Sequence, residues 1–239
     1  MGQYFEERPD AASDPDVVEL TVAGRTLELM TDSGVFSRHR VDRGTEVLLR
    51  KAPPPPDIGE VLDLGCGYGP IACALGAQSP DATVWAVDVN ERARQLTARN
   101  AAANDLPNVF AVAPEHVPAD VRFDAIYSNP PVRIGKDPMY ELLTSWFARM
   151  EPHAENPLES AERTSRGGRA FLVVQRHLGA DSLMTRLQRD GYLTERLASS
   201  KGYRVLIVAG RVTPEFSLDP MARFNRLGRY LPPPVPPDS

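Results

Sequence analysis

Cysteine and histidine are scarce in this chain, and their scarcity limits the kinds of site that it can build. Only 2 cysteines and 4 histidines occur among 239 residues. Cys66 and Cys73 are too few for a zinc cage or a disulfide framework, and the histidines lack the spacing of metal ligands. We therefore expect no metal site.

Long apolar runs and an excess of positive charge are also missing. No stretch approaches the roughly 18 to 20 continuous apolar residues of a membrane-spanning helix, and residues 1–25 are too polar and acidic for a secretion signal. The 27 basic and 32 acidic residues give a formal net charge of -5, so no global positive field favours nucleic acid. We expect a cytoplasmic monomer without membrane contact, in which local basic clusters would have to hold any nucleic acid.

Proline-rich segments divide the sequence into three parts. Residues 1–52 form an N-terminal extension that ends at Pro53 to Pro56, because proline cannot continue a helix. Residues 57–212 form the main domain, which includes a polar insertion at Glu151 to Arg166. Residues 213–239 form a C-terminal extension with a proline-rich tail that we expect to be disordered.

The N-terminal extension combines a hairpin with a helix. Val17 to Val22 and Arg25 to Met30 alternate apolar and polar residues around Ala23-Gly24, a pattern that predicts a β-hairpin. A helix follows up to Lys51, with Asp42 or Thr45 as its N-cap.

The main domain alternates strands and helices at short spacing. This pattern predicts an α/β fold with a doubly wound, mostly parallel sheet and crossover helices. Two final strands are predicted to pair antiparallel at the sheet edge. The predicted strands are Glu60 to Leu64, Thr83 to Val87, Asn108 to Val112, Phe123 to Ser128, Arg169 to Val174, Leu193 to Ala198 and Tyr203 to Val208.

A glycine loop follows the first of these strands and opens a helix. Gly65, Gly67 and Gly69 remove side chains where the backbone turns, so that a ligand with an adenosine end can approach the N–H groups of the loop. A dinucleotide loop would read Gly-x-Gly-x-x-Gly, but Pro70 occupies the place of the third glycine. The loop therefore favours S-adenosylmethionine over NAD, and a tight structural corner is the alternative without a ligand.

Acidic residues lie where a nucleotide ligand would need them. Asp88 ends the second strand, 21 positions after Gly67, and is placed to accept the ribose hydroxyls. Asp63 lies under the glycine loop, where it orients the loop or the ammonium group of the ligand, or caps loop amides.

The segment Ser128-Asn129-Pro130-Pro131 ends the fourth strand. The two prolines keep Asn129 and Pro130 out of the helical region, so the Asn129 amide and the Pro130 carbonyl form a rigid pair of acceptors. Such a pair suits a planar exocyclic NH₂, whose lone pair is freed for methyl transfer when both N–H groups are accepted. A proline turn without chemistry is the alternative.

These motifs resemble the class I methyltransferases of the small-domain type. The resemblance rests on the segments from Val61 to Gly69, Val87 to Asn90 and Ser128 to Pro131, and on Gly34-Val35-Phe36-Ser37 upstream. Within that group, the sequence is most similar to bacterial 16S ribosomal RNA guanine-N2 methyltransferases. The resemblance implies a Rossmann-like fold, S-adenosylmethionine as cofactor, and ribosomal RNA or the small ribosomal subunit as partner.

The resemblance also assigns roles to individual residues. It implies that Asn129 and Pro130 hold the target amino group and that Gly65, Gly67 and Asp88 hold the cofactor. We also predict Pro131 as part of the catalytic turn, and further cofactor contacts from Asp63, Cys66, Gly69, Val89 and Asn129. For the RNA we predict contacts from Phe36, Arg38, Arg133 and Lys136. Target recognition is predicted for the hairpin and for the Arg38 to Lys51 and Arg223 to Arg229 stretches.

The sequence departs from the family pattern at one position next to these residues. Many relatives have an aromatic residue after Asn-Pro-Pro that stacks on the base, whereas this chain has Val132, so we predict Phe36 as its substitute. A protein glutamine N-methyltransferase is the rival enzyme, although such enzymes usually carry that aromatic residue. A non-catalytic, cofactor-binding ribosome-assembly factor is the rival outside enzymes.

Overall fold

The computed structural model describes residues 12–152, 167–211, 223–224 and 230–231. Most of the insertion, the tail from Pro232 and most of the Arg223 to Arg229 stretch lie outside these ranges. The strands are β1 (Asp16–Val22), β2 (Arg25–Thr31), β3 (Ile58–Leu64), β4 (Asp81–Val87), β5 (Val109–Val112), β6 (Ala125–Ser128), β7 (Arg169–Gln175), β8 (Tyr192–Ser200), β9 (Tyr203–Arg211), β10 (Arg223–Phe224) and β11 (Tyr230–Leu231). The α-helices are α1 (Arg43–Lys51), α2 (Pro70–Gln78), α3 (Glu91–Ala103), α4 (Lys136–Phe147) and α5 (Ala180–Arg189).

Seven strands form the central sheet in the order β5-β4-β3-β6-β7-β9-β8. The strands from β3 to β7 are parallel, while β9 runs antiparallel to both β7 and β8. The predicted Rossmann-like sheet with an antiparallel pair at one edge is thus confirmed. Because the chain leaves β3 in one direction towards β4 and β5 and returns to its other side at β6, the switch point lies between β3 and β6, where such sheets bind ligands.

The two faces of the sheet bury separate apolar clusters. One face packs against α1, α2, α3 and the β1–β2 hairpin, with Val47, Leu48 and Leu75 among the buried residues. The other face packs against α4 and α5, with Leu143 and Leu187 fully buried. None of the helices in the described ranges is long and apolar enough to cross a membrane.

Asn100 of α3 and Asn104, the C-cap of that helix, attach the hairpin to α3. The Asn100 amide accepts from Met30 N at 2.8 Å and donates to Met30 O at 2.9 Å, and Asn104 bonds Glu28 N and O in the same way. Since the two asparagines are four residues apart on the helix, both face the same edge of β2. The hairpin and α1 share one core with α2 and α3, and the division of the chain at Pro53 to Pro56 stays a prediction.

Candidate active site

A cavity of about 280 Å³ opens at the carboxyl ends of β3, β4, β6 and β7. Of the residues predicted from the sequence, it is lined by Phe36, Gly65, Cys66, Gly67, Asp88, Val89, Asn129, Pro130, Pro131 and Arg133. Asp63, Gly69, Arg38 and Lys136 are not among the lining residues. The cavity therefore brings the glycine loop, the acidic strand end and the Asn-Pro-Pro turn together.

Gly65 and Gly67 keep one side of this cavity open. Their φ angles are +78° and +58°, in the left-handed region that glycine adopts without strain. A Cβ atom added at either position would meet no atom within 4 Å. The space beside the loop is thus available to a ligand because these two residues lack side chains.

Three N–H groups of the loop are bound within the protein and do not face that space. Gly65 N and Cys66 N both donate to Val87 O, at 2.8 and 3.0 Å, and Gly67 N donates to Asp88 Oδ2 at 2.9 Å. The expectation that the loop offers its N–H groups to a ligand is therefore wrong for these three residues. Their bonds fix the loop to the end of β4, and Gly65 and Gly67 contribute room rather than donors.

Asp88 sits at the junction of the loop and α3. Its Oδ2 accepts from Gly67 N, and its Oδ1 accepts from Asn90 N at 2.9 Å. Burial raises the pKa of this carboxyl, against the opposing effect of the N–H groups of Asn90 and Gly67. Each oxygen keeps a second lone pair, so both can still accept a ribose hydroxyl. Val89, 46 % exposed, adds an apolar wall beside it.

Asp63 acts beneath the loop instead of in the cavity. It is fully buried, and its Oδ2 accepts from Ala72 N at 2.9 Å in the first turn of α2. The N-cap of that helix is Gly69, which has no side chain to supply an acceptor, so Asp63 supplies it from β3. Burial, with a smaller effect of the Asp88 charge, raises the pKa of Asp63 to about 8.

Gly69 and Cys66 both contact Thr97 of α3. A Cβ on Gly69 would lie 2.9 Å from Thr97 Oγ1 and Cγ2, and the φ angle of Gly69 is +93°. Cys66 Sγ lies 3.5 Å from Thr97 Oγ1, and burial raises the pKa of the Cys66 thiol. The third glycine is therefore required for close packing of the loop on α3, a different role from that of the first two.

The Asn129 amide is oriented by the first turn of α1. Its Nδ2 donates to Asp42 Oδ2 at 2.8 Å and to Thr45 Oγ1 at 3.2 Å. The same Asp42 oxygen accepts from Gly44 N at 2.7 Å and Thr45 N at 3.2 Å, as the N-cap of the helix. Because both bonds engage the NH₂ end, Asn129 Oδ1 is the end that can accept a hydrogen bond from a bound molecule.

The carbonyl group of Pro130, the residue after Asn129, lies in a tight turn. Pro131 has φ -74° and ψ 77°, the conformation of an inverse γ-turn, and Val132 N donates to Pro130 O at 2.8 Å. One lone pair of this carbonyl is thus used within the turn, and the second stays available. Asn129 and Pro130 themselves belong to no helix.

The predicted RNA-contact residues are divided between the cavity and the surface around it. Phe36 is 49 % exposed and lines the cavity, and its loop is held by Asn90 Nδ2, which donates to Gly34 O at 3.0 Å. Arg133 is exposed at the cavity. Arg38 instead pairs with Asp14 at 2.5 Å, and Lys136 is exposed at the start of α4.

Asp42, Gln175 and Tyr203 are among the lining residues that the sequence did not indicate as parts of the site. Asp42 was predicted only as a helix cap, and nothing in its local sequence indicates that it also holds an amide 87 residues away. Gln175 and Tyr203 lie at the ends of β7 and β9, and Gln175 Nε2 donates to the Tyr203 hydroxyl at 2.9 Å. The sequence offers one signal for Gln175, because this residue directly follows a predicted apolar strand. In open parallel sheets, ligands bind at the carboxyl ends of the strands.

Residues 26–207 of the chain match the methyltransferase small domain family. The chain belongs to this family. The methyltransferase is 30% identical over 206 residues to YbxB, an uncharacterized protein of Bacillus subtilis, with 85% of this chain and 96% of that protein covered. It is 36% identical over 145 residues to the ribosomal RNA small subunit methyltransferase C of Shewanella loihica, with 61% and 39% covered.

Among solved structures, the methyltransferase is similar to the 16S rRNA N2 methyltransferase RsmC of T. thermophilus, determined in complex with AdoMet and guanosine. The TM-score is 0.66 at 25% sequence identity, with 85% of this chain and 52% of that chain covered. The methyltransferase therefore spans about two fifths to one half of these two named enzymes.

The cofactor of this methyltransferase is S-adenosylmethionine. The residues present fit that group, because the open space at Gly65 and Gly67 and the acceptor oxygens of Asp88 lie at one end of the cavity lining. Within the described ranges, no group of three or more His, Cys, Asp and Glu side chains is placed to hold a metal ion.

Proposed function

We propose that this methyltransferase transfers a methyl group to the exocyclic N2 atom of a guanine in small-subunit ribosomal RNA. One observation carries the proposal: the NH₂ end of Asn129 is bound by Asp42 and Thr45, which leaves its oxygen as an acceptor beside the Pro130 carbonyl. An acceptor pair of this kind matches an amino group with two N–H donors. A carbonyl or hydroxyl target would leave at least one of the two acceptors without a donor.

The chain's own residues hold the reacting nitrogen. Asn129 Oδ1 and the Pro130 carbonyl each accept one N–H of the amino group, which draws the nitrogen towards tetrahedral geometry and directs its lone pair at the methyl donor. S-adenosylmethionine, when bound, supplies an electrophilic methyl group on a positively charged sulfur. The nitrogen becomes acidic once methylated, so its proton is lost without a strong base.

The RNA has to present an unstacked base to reach these acceptors. The target guanine is flipped into the cavity, where Phe36 is the exposed aromatic side chain at the lining that can stack on it. Arg133, exposed at the same lining, contacts a flanking phosphate. The similarity to methyltransferases named for small-subunit ribosomal RNA supports this choice of substrate.

The experiment is methyl transfer from labelled S-adenosylmethionine into small ribosomal subunits, naked ribosomal RNA and whole-cell protein in parallel. We expect label in RNA that appears as N2-methylguanosine on nucleoside analysis. A matched reaction with the Asn129→Ala variant controls for contaminating methyltransferases. Label in a glutamine side chain of protein, or no label with cofactor bound, would contradict the proposal and favour a protein methyltransferase or a non-catalytic factor.

A further inference from the structure

A second polar pair, Gln175 and Tyr203, lines the cavity without a part in the reaction described above. The two residues are direct partners in the antiparallel pairing of β7 with β9, so their side chains project from the same face of the sheet. Gln175 Nε2 donates to the Tyr203 hydroxyl at 2.9 Å, and both side chains are half-buried. The sheet register thus fixes this pair at the cavity.

The pair lies close to the Asn129 amide. A Cβ on Gly44 would be 2.9 Å from Tyr203 Cε1 and 3.3 Å from Asn129 Nδ2, so the ring and the amide pack around the same glycine. Gly44 is buried and belongs to the first turn of α1. A base that offers its amino group to Asn129 would therefore have Tyr203 and Gln175 beside it.

The bond between the two side chains decides what they can offer to that base. It uses an N–H of the Gln175 amide and a lone pair of the Tyr203 oxygen. The Gln175 Oε1 oxygen stays available as an acceptor, and the Tyr203 O–H stays available as a donor. The cavity lining thus combines the two acceptors of the Asn-Pro-Pro turn with one further acceptor and one donor.

We propose that Gln175 and Tyr203 select guanine by its N1–H and O6 groups. This inference rests on the proposed function and deepens it. The Watson–Crick edge of guanine carries the N2 amino group, the N1–H donor and the O6 acceptor in that order. With the amino group on Asn129 and Pro130, Gln175 Oε1 accepts from N1–H and the Tyr203 hydroxyl donates to O6. Enzymes that act on flipped bases commonly read this edge by hydrogen bonds.

The riboside of 2,6-diaminopurine distinguishes recognition of the guanine N1–H and O6 groups from recognition of the 2-amino group alone. It keeps the 2-amino group of guanine, but it has an acceptor at N1 and a donor in place of O6. A site whose donors and acceptors match guanine binds 2,6-diaminopurine more weakly, because the polar groups of the site are then left without partners.

The test is calorimetric binding of guanosine and of 2,6-diaminopurine riboside to the whole protein saturated with S-adenosylhomocysteine. The unmodified protein is expected to prefer guanosine. Tyr203→Phe, which keeps the ring, and Gln175→Leu are each expected to weaken guanosine binding about three- to tenfold, the range for one hydrogen bond. Binding of 2,6-diaminopurine riboside is expected to be unchanged or stronger in both variants. Tyr127→Phe, which removes a hydroxyl that donates to Pro53 O in the core, is the matched control.

The outcomes distinguish this inference from the proposed function. If the unmodified protein binds guanosine and both variants keep its preference, the inference is wrong and the proposed function stands. Equal binding of the two nucleosides by the unmodified protein also overturns the inference alone. No binding of guanosine at all would overturn both. Unchanged S-adenosylhomocysteine affinity shows that the variants are folded.

Discussion

Replacing Asp42 tests whether the first turn of α1 positions the Asn129 amide. One Asp42 oxygen caps the helix through Gly44 N and Thr45 N and also accepts from Asn129 Nδ2 at 2.8 Å. Three replacements separate the two tasks. Asp42→Asn keeps an oxygen for both, Asp42→Ser keeps a good cap but is too short to reach Asn129 as well, and Asp42→Ala loses both.

The structure sets the expected magnitudes. Loss of an N-cap costs about 1 kcal/mol of folding stability, so Asp42→Ala is destabilised by that amount while Asp42→Ser stays within a few tenths. A hydrogen bond to a charged group contributes about 1.5–3 kcal/mol, which corresponds to a ceiling of about 10- to 150-fold in rate. Thr45 Oγ1 still holds the Asn129 amide at 3.2 Å, so we expect a loss of about tenfold in kcat for Asp42→Ser.

The assay is steady-state methyl transfer together with thermal unfolding and cofactor titration. We expect kcat to fall in Asp42→Ser and Asp42→Ala, with cofactor affinity unchanged, and to recover largely in Asp42→Asn. A positioning role predicts that kcat separates from stability, since the serine variant is stable and slow. If Asp42→Ser were as active as the unmodified protein, the role of Asp42 in orienting Asn129 would be refuted.

Further predictions concern the loop, the buried carboxyl and the hairpin. Gly67→Ala is expected to lose about 1 kcal/mol of stability through its left-handed φ of +58° and to weaken cofactor binding at least about tenfold, as measured by calorimetry. Gly69→Ala, whose Cβ would lie 2.9 Å from the Thr97 side chain, is expected to cost more, about 2–4 kcal/mol, in denaturant unfolding. The raised pKa of Asp63, about 8, means that its stabilising contribution is complete below the ordinary value of 3.8 and is lost as the pH rises towards 8. The unfolding free energy of the unmodified protein is therefore expected to fall relative to Asp63→Asn across this window, by at most about 1.4 kcal/mol per pH unit. Asn100→Ala is expected to lose about 2–3 kcal/mol, because it leaves the part-buried backbone groups of Met30 and the buried Tyr68 carbonyl without this partner.

Each of these expectations has a result that contradicts it. Equal stability losses in the two glycine variants would show that Gly69 is not needed for packing on α3. A pH-independent difference between the unmodified protein and Asp63→Asn would mean that the pKa of this carboxyl in the folded state is not raised above its ordinary value. Unchanged unfolding of Asn100→Ala would show that the hydrogen bonds of Asn100 contribute no stability to the attachment of the hairpin.

The sequence predicts the elements of this fold well because their signals are local. The hairpin at Ala23-Gly24, the Asp42 cap and the alternation of strands and helices all depend on residues close together in the chain. The sequence pattern predicts the helix before the insertion over Pro138 to Met150, whereas α4 begins at Lys136 and contains Pro138 in its first turn, where proline is tolerated. The local sequence does not show whether Pro138 is the first residue of the helix or lies later in its first turn.

The candidate site was predicted only in part, for a different physical reason. The glycine loop, Asp88 and Asn129 are visible as motifs, and the cavity brings them together. Whether a backbone N–H faces a ligand depends on whether a protein group already accepts from it. Here the acceptors are Val87 O at the end of the neighbouring strand β4 and the side chain of Asp88, the next residue. Tyr203 reaches the cavity through the register of two antiparallel strands, which no local pattern specifies.

The central claim is that the Asn129 amide oxygen and the Pro130 carbonyl hold the target amino group. The most direct measurement is the single-turnover rate of methyl transfer by Asn129→Ala, with cofactor affinity determined on the same preparation. By analogy with loss of one preorganised hydrogen-bonding group from an active site, we expect the rate to fall by about 10²–10³, with cofactor affinity largely retained. A near-normal rate in this variant would contradict the claim.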